Sequence, residues 1–142
     1  MDVTSYKIKE IEVELGIIYD SSSSESPLSL WYENIRDKFV YELKLGDVLR
    51  LLRQQLYVSY IVPKAVEYLQ ANLFAGEQYD GELVAVLSRI PFDTWGQNET
   101  LKRDLQKIIS SEYLNINQRI WTTDSFRSNF LKDYDKLLKN LY

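Results

Sequence analysis

A block of about fifty residues, Leu45 to Trp95, constrains the fold of this chain more than any other feature. Apolar residues recur at helical spacing in three parts of it, at residues 48–52, 61–69 and 83–87. Residues three and four apart lie on one side of an α-helix, so each pattern predicts a helix with one buried face. No residue in the block belongs to a nucleophile, metal-cage or phosphate-loop motif. The block therefore indicates a protein that acts through its surface.

The residues before the block predict two further helices. Thr4 or Ser5 is placed to cap a short helix that buries Ile8, Ile11 and Leu15, although residues 6–15 also alternate closely enough for a strand. A polar loop at residues 21–26 follows, and its Ser21 to Ser24 run breaks the helical pattern. Pro27 suits the first turn of a second helix, which the apolar spacing extends to near Leu43.

Within and after the block, polar residues predict where the remaining helices begin. We expect Asp47 near the start of the third helix, the fourth to begin near Ile61 with Pro63 in its first turn, and Asp80 as the N-cap of the fifth. Pro91 ends that helix, and residues 92–96 form a turn. Asn98 and either Thr122 or Thr123 then cap the last two helices, leaving residues 115–121 unassigned. The prediction is an all-α fold, a compact single-domain bundle of about six to seven helices spanning residues 1–142.

Cysteine and histidine are both absent from the 142 residues. Their absence removes thiolate chemistry, imidazole acid/base catalysis and nearly every zinc, haem or iron–sulfur ligand set. We expect no cofactor, no metal and no catalytic residue. A hydrolase that works with two carboxylates alone stays open as an alternative.

The acidic residues are concentrated before residue 100. Residues 1–100 hold sixteen acids against nine bases, whereas residues 101–142 hold five acids against eight bases. An acidic surface repels nucleic acid and attracts basic proteins. We therefore expect a basic protein partner and no nucleic-acid ligand. Because the chain shows neither a membrane span nor a secretory signal, we expect it in the cytoplasm.

The strongest acidic constellation surrounds the predicted fifth helix. Its candidate partner-binding residues are Glu77, Tyr79, Asp80, Glu82 and Asp93. A local structural role accounts for two of these residues and for Gly81 between them, with Asp80 capping the helix, Gly81 relieving crowding and Glu82 facing the positive helix end. It does not account for Glu77, Tyr79 and Asp93, which are predicted on the flanking loops. There they would form an acidic rim facing a partner.

The block resembles the small all-helical immunity proteins of bacterial contact-dependent growth inhibition, the CdiI-type family. The resemblance lies in the Leu45 to Gln54 run, in residues 62–69 with Asn72, and in residues 79–83 with Val86, Leu87 and Trp95. The family pattern has Asn-Pro after the fourth helix where this chain has Asn72-Leu73, and both termini diverge. A sister group with a different cognate toxin would show such differences.

The resemblance implies a cytoplasmic inhibitor of a toxin. Such a protein binds the C-terminal toxin domain of a cognate CdiA effector, often a nuclease, and covers its active site or substrate groove. For this chain it implies a basic toxin partner, no membrane or nucleic-acid ligand, and a monomer in a 1:1 complex. An acidic antitoxin or adaptor with another partner is the alternative that shares this composition.

Overall fold

A computed structural model describes residues 3–19, 26–95, 99–111, 116 and 119–141. These residues contain seven α-helices and no β-strand, which confirms the predicted all-α fold. The helices are Ile8–Glu14 (α1), Pro27–Ile35 (α2), Leu45–Arg53 (α3), Val58–Ala71 (α4), Glu82–Ser88 (α5), Glu99–Ser111 (α6) and Asp124–Leu141 (α7). Three single turns of 3-10 helix, Val3–Ser5, Val40–Glu42 and Phe92–Trp95, connect them. None of the helices in these ranges is long and apolar enough to cross a membrane.

The central helix of the bundle is α4, which packs against α3 and α6. Its Ile61, Val62 and Ala65 are fully buried, as the apolar spacing predicted. A second layer forms where α5 packs along α7, with Leu83 and Leu137 inside. Each large aliphatic side chain removed from water contributes roughly 1.5–3 kcal/mol. The core is therefore held mainly by helix faces taken from the block and from the C-terminal helix.

The N-terminal segment forms the predicted helix and not a strand, but its N-cap residue differs from the prediction. The N-cap is Lys7, whose N–H donates to Glu10 Oε1 at 2.9 Å. Thr4 and Ser5 instead lie in the preceding 3-10 turn, so both predicted caps are wrong. Leu15 was predicted to be buried and is 51% exposed, because α1 ends at Glu14.

The second helix begins as predicted and ends earlier. Ser26 is its N-cap, and Pro27 occupies its first position. The helix stops at Ile35 rather than near Leu43, because the next backbone groups bond to the N-terminal segment instead. Val40 N–H donates to the Tyr6 carbonyl at 2.9 Å, and the Lys38 carbonyl accepts the Ile8 N–H at 3.1 Å.

The third helix starts near Asp47 as predicted, whereas the fourth starts before its predicted position. In α3, which begins at Leu45, the Asp47 carboxylate accepts the N–H of the N-cap residue Lys44 at 3.1 Å. The fourth helix begins at Val58 rather than near Ile61, directly after Tyr57, which has a φ of 54°. Pro63 consequently lies inside the helix and not in its first turn.

The remaining boundaries agree in part with the predictions. The fifth helix ends at Ser88, three residues before Pro91, and residues 92–95 form the predicted turn with Trp95 buried. Thr123 Oγ1 accepts the Phe126 N–H at 3.2 Å near the start of α7. The predicted Ser21 to Ser24 loop, Gly96 and the predicted Asn98 cap lie outside the described residues, as do 115, 117 and 118 of the unassigned stretch.

Candidate functional site

The start of α5 is organised around the buried carboxylate of Glu82. Glu82 is 0% exposed, and its Oε1 accepts the N–H of Glu77 at 2.8 Å and of Gln78 at 3.0 Å. Its Oε2 forms an ion pair with Arg53 at the end of α3. Glu82 was predicted among the partner-binding residues, but its side chain is buried and cannot contact a partner directly. Its side chain instead fixes the backbone of the loop before α5 through these hydrogen bonds.

The protonation of Glu82 follows from these contacts. Burial raises the pKa of the Glu82 carboxyl, but the N–H groups of Gln78 and Glu77 and the Arg53 guanidinium more than offset this, so its pKa lies below the usual value. A catalytic general acid requires the opposite shift, because it must be protonated near neutral pH. The geometry thus gives Glu82 a structural role and offers no support for a hydrolase built on it.

Gly81, rather than Asp80, is the N-cap of α5. Its φ of 89° is a left-handed conformation that glycine adopts without strain, and a Cβ there would overlap the ring of Phe130 on α7. The Gly81 N–H donates to the Phe74 carbonyl at 2.8 Å, and the Leu83 N–H donates to the Ala75 carbonyl at 3.1 Å. The predicted capping role of Asp80 is wrong, because the close packing against α7 admits only glycine at the cap.

Three of the predicted binding residues lie together on the loop that Glu82 holds. Glu77, Tyr79 and Asp80 are exposed, and Tyr79 retains 40% of its accessible surface. The Glu77 carboxylate lies against Gly46 in the first turn of α3, where the helix dipole favours negative charge. Asp80 forms an ion pair with Arg119. Within the described part of the chain, Glu77 has no cationic partner.

Asp93 is not part of this cluster. It is exposed in the 3-10 turn Phe92–Trp95, which follows the C-terminal end of α5. The Glu77–Asp80 loop precedes the N-terminal end of the same helix. A seven-residue helix is about 10 Å long, so roughly this distance separates the two acidic positions along the helix axis. The candidate surface is therefore extended, with an acidic group at each end of α5.

Sequence reasoning missed the basic residues next to this surface. Arg119 pairs with Asp80, while Arg89, Lys132 and Lys136 line an open groove of about 580 Å³ that also includes Tyr79 and Asp80. The lysines belong to α7, more than fifty residues later in the chain. Helical spacing predicted apolar positions of α7 that are mostly buried, such as Phe130 and Leu137, although Phe126 is 49% exposed. No sequence pattern indicated that α7 would pack beside α5.

A second carboxylate, that of Glu12 on α1, is also buried. It pairs with Arg36 at 2.7 Å and accepts a hydrogen bond from the Tyr32 hydroxyl at 2.6 Å. Burial raises the pKa of Glu12, and the bonds from Arg36 and Tyr32 lower it further than burial raises it. The Tyr32 hydroxyl also contacts that of Tyr57 at 2.5 Å, so one polar network joins α1, α2 and the start of α4.

The comparisons with known proteins place the chain in a family. The sequence profile of the CDI immunity proteins, the immunity proteins of contact-dependent growth inhibition, matches residues 12–105, about two thirds of the chain. A search of curated proteins returned no match. The matched region contains α2 to α5, the Glu82 ion pair and the loop that carries Glu77, Tyr79 and Asp80. The chain therefore belongs to the CDI immunity proteins, a family whose members neutralise a toxin.

Proposed function

We propose that this protein binds the C-terminal toxin domain of a cognate CdiA effector in the cytoplasm, and that the toxin is a nuclease. In this proposal the acidic rim, defined as Glu77, Tyr79, Asp80 and Asp93, covers the basic substrate groove of the toxin. Inhibition needs no catalytic step, and one monomer binds one toxin domain. The observation that carries the proposal is the presentation of exposed acidic side chains on a loop that the buried Glu82 fixes in place.

The charge of the rim suits a nuclease partner. A nuclease needs a positive surface to hold phosphates, and an acidic inhibitor gains both association rate and specificity from facing that surface. Glu77 and Asp93 have no cationic partner within the described residues, so their charge is available to a partner. Asp80 is paired with Arg119, but its side chain is still two-thirds exposed.

The fixed loop supports tight binding. Association costs less when the contact groups are already ordered, because fewer backbone and side-chain rotations are lost. Here two N–H bonds to Glu82 and one from Gly81 to Phe74 hold the backbone on both sides of Tyr79. Tyr79 supplies a large exposed ring on this loop, the kind of side chain that dominates interface energy.

The proposal is tested by removing the rim charges without changing residue size. We expect the triple variant E77Q/D80N/D93N to bind the toxin domain at least tenfold more weakly in low salt, with a smaller loss of affinity on adding salt. The matched control is E33Q/D104N/D135N, which removes three exposed acids elsewhere and changes the net charge equally. Equal affinities of the two variants at low salt would contradict the proposed role of the rim.

A further inference from the structure

The groove between α5 and α7 has two chemically different ends. Gly81, at the start of α5, lies against Phe130, whereas the Ser88 carbonyl at the other end accepts a hydrogen bond from Asn140 Nδ2 at 3.3 Å. The two helices therefore run in the same general direction. Tyr79 and Phe126 fall at the first end, and Arg89 and Lys136 fall at the second.

The first end is aromatic and open to solvent. Phe126 is 49% exposed and Tyr79 is 40% exposed, while Phe130 is buried and forms the floor between them. Large exposed apolar side chains around a concave site are typical of positions that receive a partner side chain. A partner's apolar side chain would be covered here at little cost in polar desolvation.

The groove also carries cations without internal partners. Among the described residues, Arg89, Lys132 and Lys136 form no ion pair, although all three line the groove. Two acids share the lining, but Asp80 is already paired with Arg119, which leaves Asp133 against three cations. The lining therefore carries an excess of positive charge in a protein whose net charge is −4.

We infer that the α5–α7 groove binds an acidic peptide segment of the toxin domain. A carboxylate of that segment lies among Arg89, Lys132 and Lys136, and a neighbouring apolar side chain packs against Tyr79 and Phe126. From Gly81 to Arg89 the groove is about 12 Å long at the rise of an α-helix, which accommodates about four extended residues. This inference rests on the proposed function, since it takes the toxin domain as the partner.

The groove adds specificity to the acidic rim beside it. A purely acidic surface would attract any basic protein, because long-range charge attraction alone does not select one partner. A positive groove adjoining an acidic rim requires a partner with both signs of charge in a matching arrangement. Partners that place a basic side chain in the groove are then penalised by repulsion.

The test compares two charge-reversal variants, because a local contact in the groove and long-range attraction should change the affinity for the toxin domain in opposite directions. The groove variant K132E/K136E and the control K107E/K139E each reverse two exposed lysines, so they change the net charge equally. A basic toxin domain is attracted more strongly by both variants at long range. We expect K132E/K136E nevertheless to bind the isolated toxin domain at least tenfold more weakly by calorimetry, and K107E/K139E to bind as well as the unchanged protein or better.

Two further variants complete the test. F126A should weaken binding several-fold, and K132Q/K136Q should weaken it less than the glutamate variant, both with circular dichroism spectra like that of the unchanged protein. If K132E/K136E binds as tightly as K107E/K139E, the inference is overturned. In that case a loss of binding in E77Q/D80N/D93N would leave the proposed function standing. If only K132E/K136E loses binding to the toxin domain, the result would support binding of an acidic segment in the groove and contradict the role of the rim.

Discussion

The carboxylate of Glu82 on α5 and the guanidinium of Arg53 at the end of α3 form an ion pair in which only Arg53 contacts solvent. Glu82 is fully buried, while the Arg53 side chain is 43% exposed. A buried ion pair adds little net stability, because desolvation of the charges offsets their attraction. The pair instead fixes the position of α5 against α3, and with it the loop that carries Glu77, Tyr79 and Asp80.

Removing the Glu82 side chain should destabilise the protein and loosen this loop. In E82A the Glu77 and Gln78 N–H groups lose their acceptor and a cavity replaces the carboxyl, so we expect a loss of about 3 kcal/mol in the free energy of unfolding. E82Q keeps one acceptor oxygen and should lose less. Urea denaturation of the two variants measures the difference. Equal stability of E82A and the unchanged protein would show that Glu82 does not organise the loop.

Substitution of Gly81 should lower the free energy of unfolding, because its backbone conformation is left-handed and the Phe130 ring leaves no room for a side chain. In G81A the left-handed backbone costs about 1 kcal/mol, and the added methyl group must displace the Phe130 ring, which costs roughly 1–3 kcal/mol more. The control is G16A, since Gly16 also has a positive φ but has no atom within 4 Å of the added carbon. Thermal unfolding should show a clearly larger loss for G81A. Similar losses would argue against close packing between α5 and α7.

The buried carboxylates should make stability dependent on pH in the acid range only. Glu82 and Glu12 both have a pKa below the ordinary value in the folded state, so the unfolded chain binds protons more readily. Their contribution is present above the unfolded pKa of about 4.3 and is lost as the pH falls through the folded values. Denaturation curves between neutral pH and pH 3 should therefore show declining stability, less steeply in E12Q/E82Q. An identical decline in that variant would contradict the assignment.

The hydroxyl of Tyr32 should resist ionisation at alkaline pH. Burial and its hydrogen bonds with Glu12 and Tyr57 raise the pKa of Tyr32 far above that of a free tyrosine. Its contribution to stability is present below pH 10 and is lost as the pH rises towards the folded pKa. We expect Y32F to be about 1–2 kcal/mol less stable at neutral pH. In an ultraviolet titration, Y32F should also have one tyrosine fewer that ionises well above pH 10. If the absorbance change at high pH is the same in Y32F, Tyr32 is not its source.

The sequence predicted the helical class and most of the core, since periodicity reports which side of a helix is buried. It failed where one residue has a role set by distant contacts. By residue type Glu82 suits an exposed helix start, and only its contacts with Arg53 and with the Glu77 and Gln78 N–H groups explain its burial. Asp80 is a suitable cap by residue type, but the packing of Phe130 requires Gly81 there instead.

The same limit applies to the candidate site. The local sequence placed Glu77, Tyr79 and Asp80 on one loop, because residues close in sequence remain close in space. It also placed Asp93 after α5, but it could not show that Lys132 and Lys136 line a groove beside Asp80. Those relationships depend on how α7 packs against α5, which helical periodicity does not specify.

The most direct measurement is the growth of bacteria that express the C-terminal toxin domain of the cognate effector, with and without this protein. We predict that the toxin domain alone arrests growth and that co-expression of the unchanged protein restores it, while E77Q/D80N/D93N restores it less well than E33Q/D104N/D135N. Continued arrest in the presence of correctly folded protein would contradict neutralisation of this toxin.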